Sequence, residues 1–365
     1  MVVIGCGYIA REVHLPVLRR LDRLSVTAVC DTNGKNAAML AEKFTIPKTY
    51  SDLDEMLSIE KPDLVDICTP PDTHAVLLAK SLERGFPCLV EKPLTTTTSD
   101  ADHIIRLSER NGIKVFVIHN YSYVPCVRKA RDIVEHGRIG SVRFAETRYL
   151  TNLSKERYCS TDHWVHRLPA GVLTSEITPH LLMLLVDFLG NVAEAKSLVA
   201  KVGMFRYVTA DELKMILVSA KGAVGHLMVS YNSPAVCHTM DIFGEKACLF
   251  LDFVTQSVVL QTFPLQIRDT NEASRSSMLR GKWAAREIIQ KTTSLVRSAT
   301  NVAVGRYEML SEGHRFLIKR CLDDLSGISK YPVDLNKCRE VVRLMESVYS
   351  DVHDAARITR ANESK

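Results

Sequence analysis

The chain has 365 residues, of which 46% are hydrophobic and 24% are charged, and its formal net charge is +5. This length exceeds what one hydrophobic core usually supports, so we expect two domains, and the composition excludes a disordered or fibrous protein. The mild positive charge does not indicate a nucleic-acid partner, and no stretch approaches the roughly 20 apolar residues of a membrane-spanning helix.

Two features of the sequence bear on its compartment. Met1 leads directly into the apolar run Val2–Ile4 without a basic leader or cleavage site, so we expect a cytoplasmic protein. The ten cysteines are spread singly along the chain and form no CxxC pair. This spacing predicts free, packed thiols rather than disulfides or a zinc site.

The first 120 residues alternate short β-rich runs with stretches of helical periodicity. Such alternation predicts an α/β fold, a doubly wound parallel sheet of the Rossmann type with right-handed crossovers. The predicted strands are residues 2–4, 25–30, 64–68, 87–90 and 114–118, and the predicted helices are residues 35–44, 74–84 and 99–111. We therefore expect residues 1–120 to form the first domain.

From residue 141 the β-rich runs become longer and alternate apolar with polar positions. This pattern predicts an α+β second domain, residues 121–365, with an open, mainly antiparallel sheet flanked by helices. The predicted strands are residues 142–149, 192–201, 213–220, 223–231 and 246–252. The predicted helices are residues 171–189, closed by Gly190, and the terminal pair 305–325 and 336–355.

Residues 264–306 break this pattern. Basic and apolar side chains are interspersed there at helical spacing, which predicts a basic amphipathic helical insertion. We expect a solvated helix or an oligomer contact, and docking on a membrane surface is the alternative.

A six-residue segment that begins at Gly5 directly after the first strand, GCGYIA, has the pattern GxGxxA. Gly5 permits a tight turn, Gly7 lets the backbone approach a pyrophosphate, and Ala10 keeps the following helix close to the strand. The helix N-terminus can then hold the diphosphate. The segment predicts a dinucleotide site that includes Tyr8 and Ile9, and a plain glycine turn is the alternative.

Asp31 ends the second predicted strand about 20 residues after the glycines. A carboxylate at this position can accept hydrogen bonds from both ribose hydroxyls of the adenosine half, which favours NAD over NADP. Lys35 is close enough in the sequence to contact a 2′-phosphate, so NADP is the alternative cofactor. The structural alternative for Asp31 is a capping role.

Together with this fingerprint, several short motifs resemble the glucose-fructose oxidoreductase/inositol dehydrogenase family, Gfo/Idh/MocA. They are TPPDTH from Thr69, Glu91-Lys92-Pro93, His14-Leu15-Pro16, His119-Asn120-Tyr121 and residues 171–180. The resemblance covers nearly the whole chain except residues 264–306. It implies an NAD(P)-dependent oxidoreductase that acts on a sugar, a cyclitol or a nucleotide sugar.

The resemblance also implies roles for residues at matching positions. Lys92 is expected to touch both the nicotinamide ribose and the substrate, and its bond to Pro93 is a candidate cis peptide. His180 matches the catalytic histidine of the family. The implied cofactor contacts beyond the glycine loop and Asp31 are Thr69, Pro70, His74, Glu91 and Lys92.

Two positions depart from the family pattern. Glu176 stands where the family usually has aspartate, and the extra methylene puts its usual substrate contact in doubt. Ser122 stands where relatives commonly carry a substrate-binding arginine. We expect Asn120 and Arg167 to contact the substrate, with Arg167 as a replacement cation, although a surface salt bridge is an equal alternative for Arg167.

The residue types fit the chemistry of alcohol oxidation. This reaction needs a base that takes the hydroxyl proton and a cation beside the developing alkoxide, and His180 and Lys92 are of the required types. Glu176 lies four residues before His180, where a carboxylate on the same helix face could orient the ring. A buried helix histidine and a solvated lysine are the structural alternatives for the pair.

No metal site is expected, because no carboxylate or cysteine has ligand spacing with His163 and His166. Trp164 is interpreted as core or as a wall of the pocket. The functional alternatives are a redox-neutral glycosidase that uses NAD transiently and a non-catalytic NAD-binding regulator. The expected partners are a small sugar or polyol and further copies of the chain, in a homodimer or homotetramer.

Overall fold

The computed structural model describes residues 1–21, 24–156, 159–161, 163–168, 171, 173–205, 207–262 and 307–363. The predicted basic insertion at residues 264–306 lies outside the described residues. Within the described residues, no helix has the length and apolarity to cross a membrane.

The first sheet has six parallel strands in the order β3-β2-β1-β4-β5-β6. The strands are β1 (Val2–Ile4), β2 (Ala28–Cys30), β3 (Lys48–Tyr50), β4 (Val65–Ile67), β5 (Cys88–Glu91) and β6 (Val115–Ile118). All except β3 are buried along their whole length, as expected of short apolar strands covered by helices on both faces. The predicted Rossmann sheet is confirmed, and β3 is an edge strand that the sequence pattern missed.

The helices of this half are α1 (Leu15–Leu18), α2 (Gly34–Phe44), α3 (Leu53–Glu60), α4 (His74–Glu83) and α5 (Thr98–Asn111). Side chains cap three of them, because Asn33, Asp52 and Thr97 each accept a hydrogen bond from a backbone N–H in the first turn. A π-helical turn, Ala10–His14, precedes α1. This turn joins the glycine loop to the helix that follows it.

The second sheet has seven strands in the order β13-β12-β11-β7-β10-β9-β8. The strands are β7 (Val142–Asn152), β8 (Val192–Ala200), β9 (Glu212–Ser219), β10 (Val224–Ser230), β11 (Asn232–Gly244), β12 (Ala247–Asp252) and β13 (Ser257–Thr262). Every neighbouring pair is antiparallel except β7 and β10, which run parallel. The mainly antiparallel sheet is confirmed, with β11 and β13 added.

The remaining helices are α6 (Pro125–Glu135), α7 (Thr178–Leu189), α8 (Tyr307–Leu325) and α9 (Leu335–Glu363). The predicted helix 171–189 is divided, because a π-helical turn, Leu173–Ile177, precedes α7. α7 packs under β7 and against α9, which also contacts β8. The apolar residues of α7 are buried around most of its circumference, as its run TPHLLMLLVDFL requires.

α8 packs against the first sheet rather than the second. Leu317, Ile318 and Cys321 belong to a core cluster with Val3 and Phe116 of that sheet. α8 also contacts the π-helical turn Ala10–His14 and a short 3₁₀ turn, Asn120–Tyr123. α8 therefore lies at the carboxyl edge of the parallel strands.

Candidate active site

The glycine loop has the conformation that the fingerprint predicts. Gly5 has φ +88°, and a Cβ added there would lie 2.8 Å from the carbonyl oxygen of Cys68. Gly7 is exposed, and no atom lies within 4 Å of where its Cβ would be. Ala10 is completely buried, which allows the close packing of helix and strand. The loop therefore leaves its outer side open for a diphosphate.

Asp31 lies directly beside this loop. Its Oδ2 accepts a hydrogen bond from the backbone N–H of Cys6 at 2.8 Å, and its Oδ1 accepts one from the N–H of Asn33 at 2.8 Å. Lys35 is exposed on the first turn of α2. The carboxylate is thus held at the place where the ribose of a dinucleotide is expected, and it also orders the turn after β2.

A cavity of about 570 Å³ extends from the glycine loop into the second half of the chain. Most of the predicted site residues line it. The lining residues are Tyr8, Ile9, Val13, Thr69, Pro71, Glu91, Lys92, Asn120, Tyr121, Tyr149, Ser154, Glu156, Trp164, Glu176, Ile177, His180 and His314. The volume of the cavity is within the size range of ligand sites. Residues from both halves of the chain line it.

Lys92 follows β5 at the carboxyl edge of the parallel sheet, and the bond between Lys92 and Pro93 is cis, as predicted. The Lys92 ammonium donates hydrogen bonds to the carbonyl oxygens of Glu176 at 2.8 Å and Ser175 at 3.2 Å. Both carbonyls belong to the π-helical turn before α7. These contacts hold the ammonium against the turn that carries Glu176 and precedes the helix of His180.

His180 is 8% exposed, and its ring makes an aromatic contact. Its ring stacks on Tyr121, with 4.1 Å between centroids and 17° between planes. The Nδ1 atom of His180 has no hydrogen-bond partner among the described residues. Burial, together with the positive charge of Lys92, lowers the pKa of His180 well below its ordinary value. The ring is therefore neutral, so one of its two nitrogens carries a lone pair.

The predicted orientation of the His180 ring by Glu176 stays a prediction. Glu176 lies in the π-helical turn, whereas His180 lies in α7, so the four-residue spacing is not that of one continuous α-helix. Both side chains still line the cavity. The cavity wall thus includes Glu176, and the ring of His180 stacks on Tyr121.

Seven predicted site residues are not among those that line the cavity: Gly5, Gly7, Ala10 and Asp31, which are described above, and His74, Pro70 and Arg167. His74 is completely buried, and its ring nitrogens face the carbonyl oxygens of Pro93 at 2.8 Å and Thr69 at 3.0 Å. Pro70 precedes the cavity residue Pro71, and Arg167 is exposed on a short 3₁₀ turn, Trp164–Arg167. The contact of His74 braces the two loops that carry Thr69 and Pro93. Trp164, left open as core or pocket wall, lines the cavity.

The sequence reasoning missed His314. This residue of α8 lines the cavity, and its Nε2 lies 3.0 Å from Oε1 of Glu91. His14 lies 2.9 Å from the same oxygen through its own Nε2. A lone histidine in an amphipathic helix carries no motif, so only the glycine that precedes it, Gly313, gave a sequence signal for close packing.

Two buried groups have donor atoms close enough together for a metal ion: His14 with Asp66 and Cys68, and His14 with Glu91 and His314. In each group the candidate ligand atoms lie within 4.8 Å of one another. The sequence predicted no metal site on the basis of His163 and His166, which belong to neither group. The absence of a metal remains a prediction.

Comparisons with known proteins match the two halves of the chain separately. Residues 1–119 match the family model "Oxidoreductase family, NAD-binding Rossmann fold", and residues 127–250 match the "GFO/IDH/MocA C-terminal domain". These two segments together include most of the strands of both sheets and most of the lining residues, among them Glu91, Lys92, Glu176 and His180.

Curated relatives match over part of their length. An uncharacterized protein of Saccharomyces cerevisiae is 28% identical over 204 residues, which is 55% of this chain and 58% of that protein. A D-apiose dehydrogenase of Paraburkholderia graminis is 30% identical over 139 residues, which is 38% of this chain and 37% of that enzyme. The matched segments thus span less than two thirds of these relatives.

Solved structures match over nearly the whole chain. The WlbA dehydrogenase from Bordetella pertussis, crystallised with NADH and UDP-GlcNAcA, superimposes with a TM-score of 0.76. The match has 16% sequence identity and covers 97% of this chain and 95% of that one. At this identity the likeness shows a shared fold.

Proposed function

The chain belongs to the Gfo/Idh/MocA oxidoreductase family, and from this premise we propose that it is an NAD(P)-dependent oxidoreductase acting on a sugar, a cyclitol or a nucleotide sugar. The reaction is hydride transfer between nicotinamide and a hydroxyl-bearing carbon. The observation that carries the proposal is that Lys92 and His180 line the same cavity as Tyr8 and Ile9 of the glycine loop.

The residues present fit a dinucleotide. Gly7 offers an open backbone surface for the diphosphate, and Asp31 offers a carboxylate for the ribose hydroxyls. Thr69 and Lys92 line the cavity further along the strand ends, where the nicotinamide half would lie. NAD, when bound, supplies the hydride acceptor. NAD is the proposed cofactor because a carboxylate at position 31 repels a 2′-phosphate, and NADP is the alternative.

The proton chemistry belongs to the chain's own residues. The neutral ring of His180 accepts the hydroxyl proton of the substrate and returns it in the reductive direction. The Lys92 ammonium stabilises the oxygen as negative charge develops on it. Tyr121 fixes the plane of the His180 ring by stacking, which orders the base through an aromatic contact. The flat faces of Trp164 and Tyr149 suit a sugar ring.

The test is an assay of nicotinamide absorbance with NAD or NADP and a panel of sugars, inositols and nucleotide sugars. Lys92→Ala and His180→Ala should each lower kcat by about 100-fold or more. Lys92→Ala removes the positive charge beside the reacting oxygen, and His180→Ala removes the proton acceptor. Matched controls are Lys129→Ala and His103→Ala, which remove the same side chains at exposed positions. The controls should retain wild-type rates.

The outcomes separate the proposal from its alternatives. Substrate-dependent reduction of NAD that both site variants lose, and both controls keep, supports the dehydrogenase. Release of sugar from a glycoside without accumulation of NADH would favour the redox-neutral glycosidase. NADH binding with no turnover on the whole panel, and a biological role retained in both site variants, would favour the regulator.

We also propose a homodimer or homotetramer in the cytoplasm. Three exposed apolar side chains, Leu198, Ile216 and Val224, lie on the neighbouring strands β8, β9 and β10, where a second copy could cover them. All ten cysteines are free, which suits a reducing compartment. Light scattering tests the assembly, and a monomer mass would contradict it.

A further inference from the structure

Four buried ionisable side chains form a row that reaches the cavity wall beside Lys92. They are Asp66, His14, Glu91 and His314. Nδ1 of His14 lies 2.9 Å from Oδ2 of Asp66, and Nε2 of His14 lies 2.9 Å from Oε1 of Glu91. Nε2 of His314 lies 3.0 Å from that same Glu91 oxygen. All four residues are buried. The row thus runs from the centre of the first sheet, through Glu91, to α8.

The contacts determine the charges in this row. Each ring nitrogen of His14 faces a carboxylate oxygen, so the ring satisfies both only as an imidazolium that donates twice. Burial would lower the pKa of His14, but the Asp66 carboxylate outweighs it and raises that pKa well above its ordinary value. Burial would raise the pKa of Glu91, but the hydrogen bonds from His14 and His314 outweigh it and hold that pKa well below its ordinary value. Glu91 is therefore an ionised acceptor.

Glu91 connects this row to Lys92. While its Oε1 accepts from both histidines, its Oε2 accepts a hydrogen bond from the backbone N–H of Lys92 at 3.2 Å. The Glu91 carboxylate therefore holds the main chain of Lys92. The carbonyl oxygens of Ser175 and Glu176 hold the ammonium at the end of the Lys92 side chain. A rotation of the Glu91 carboxylate would shift the main chain of Lys92.

α8 reaches this position through an unusually close approach at Gly313. A Cβ added at Gly313 would lie 2.2 Å from the carbonyl oxygen of Asn120 and 2.9 Å from its carbonyl carbon. No side chain larger than hydrogen fits there, so α8 rests on the backbone of Asn120. This contact sets the depth at which the next residue, His314, enters the cavity wall.

We propose that His314 is a positioning residue for the active site: together with His14 it fixes the Glu91 carboxylate, and Glu91 fixes Lys92. The inference rests on the proposed function for its effect on turnover. The effect of the His314 donor on the placement of Lys92 can be measured without turnover.

The distances favour hydrogen bonds over a metal ion in this cluster. Nitrogen and oxygen ligands of a tetrahedral metal lie about 2.0–2.1 Å from the ion and hence about 3.3 Å from each other. The two nitrogen–oxygen distances here are 2.9 and 3.0 Å, as in charge-assisted hydrogen bonds. His14 also has its second nitrogen on Asp66, which completes the imidazolium.

The experiment compares three variants of the full chain. His314→Leu removes the donor, and His314→Gln keeps an N–H donor at a similar reach. Arg315→Leu makes the same apolar replacement at the exposed neighbouring position and is the control. Each protein is assayed for kcat and for the KM of NAD, and the acetylation rate of Lys92 by acetic anhydride is followed by mass spectrometry of its peptide.

The His314→Leu variant should lose about 10- to 100-fold in kcat with less change in the KM of NAD, because a displaced Lys92 loses alignment with the substrate oxygen. Its Lys92 should acetylate at a different rate from the wild type. His314→Gln should restore both readouts, and Arg315→Leu should match the wild type. A merely structural role would instead lower the stability of His314→Leu and leave the acetylation rate of Lys92 unchanged.

Three results would overturn the inference. The first is a folded His314→Leu protein with wild-type kcat and wild-type acetylation of Lys92. The second is a His314→Gln protein that behaves like His314→Leu. The third is a stoichiometric metal ion whose removal by a chelator releases the His14 and His314 rings. Should His314→Leu not fold, the comparison of His314→Gln with the shorter His314→Asn decides in the same way. Should the wild type show no turnover, the acetylation rates still decide.

Discussion

Replacing Gly5 by alanine should destabilise the fold, because this position has two separate requirements for glycine. Its φ of +88° is a conformation that costs an L residue about 1–2 kcal/mol. An added Cβ would also lie 2.8 Å from both the Cys68 carbonyl oxygen and Cγ2 of Thr69. Such overpacking typically costs about 1–3 kcal/mol. The two costs together predict a loss of about 2–5 kcal/mol.

The backbone around Gly5 cannot easily move to relieve this contact. The N–H of Gly5 donates to the carbonyl oxygen of Cys30 at 2.8 Å, and the N–H of Cys68 donates to the carbonyl oxygen of Ile4 at 2.8 Å. These bonds tie the ends of β1, β2 and β4 together. Relief of the clash would therefore weaken hydrogen bonds of the central strands.

Gly7→Ala is the matched control for this prediction. Gly7 has no positive φ and is exposed, and no atom lies within 4 Å of the position that the added methyl group would take. Its replacement should change the free energy of unfolding by no more than about 0.5 kcal/mol. The methyl group would instead occupy the surface where the diphosphate approaches the loop, so the affinity for NADH should fall about tenfold or more.

The assay is thermal unfolding of both variants without cofactor, followed by fluorescence titration with NADH. Gly5→Ala should lower the Tm by about 3–7 °C, because a chain of 365 residues unfolds with an entropy on the order of 0.8 kcal/mol/K, and Gly7→Ala should leave it unchanged. A Gly5→Ala protein with the wild-type Tm would refute the strain argument. A Gly7→Ala protein that binds NADH with wild-type affinity would refute the placement of the diphosphate on this loop.

Two further predictions concern charge. Burial lowers the pKa of His238 to about 3, so below about pH 6.5 the unfolded chain binds a proton that the folded state rejects, and stability decreases as the pH falls. In urea denaturation the wild type should lose about 2 kcal/mol more than His238→Phe between about pH 7.5 and about pH 5, and equal losses would contradict this. Asp31→Asn keeps an oxygen for the Cys6 N–H but loses the charge. Its kcat/KM with NAD should fall about 10- to 100-fold relative to that with NADP, and an unchanged ratio would remove Asp31 from the ribose site.

The sequence predicted most of the strands and missed three, β3, β11 and β13, whose local signal is weak. Five of the six parallel strands have apolar runs that helices cover on both faces, so composition alone indicates them. Lys48–Tyr50 is a polar, largely exposed edge strand. Asn232–Gly244 contains Pro234 and many exposed positions, and it is a strand because it pairs along β7 and β12. A local sequence pattern carries no information about the pairing of segments that are distant in the chain.

In the candidate site, too, short motifs predicted the residues but not the contacts between them. Short motifs predicted Lys92, His180 and Glu176, and all three line one cavity. Spacing alone predicted that Glu176 orients the His180 ring, and the π-helical turn before α7 changes the angular relation that a continuous α-helix would give them. The structure adds a stacking contact with Tyr121, which lies in a 3₁₀ turn many residues earlier in the chain. A contact of this kind depends on tertiary structure and has no sequence period.

α8 explains why the remaining part of the site could not be predicted. A helical period identifies the apolar face of α8 but not the sheet that receives it. In the structure Leu317 and Ile318 fasten that face to the core of the first sheet, and Gly313 lets the helix rest on Asn120. Only this docking brings His314 to Glu91. Because the same helix both packs on the nucleotide-binding sheet and lines the cavity, a mutation that loosens its apolar face should also disturb Lys92, even though the two lie more than 200 residues apart in sequence.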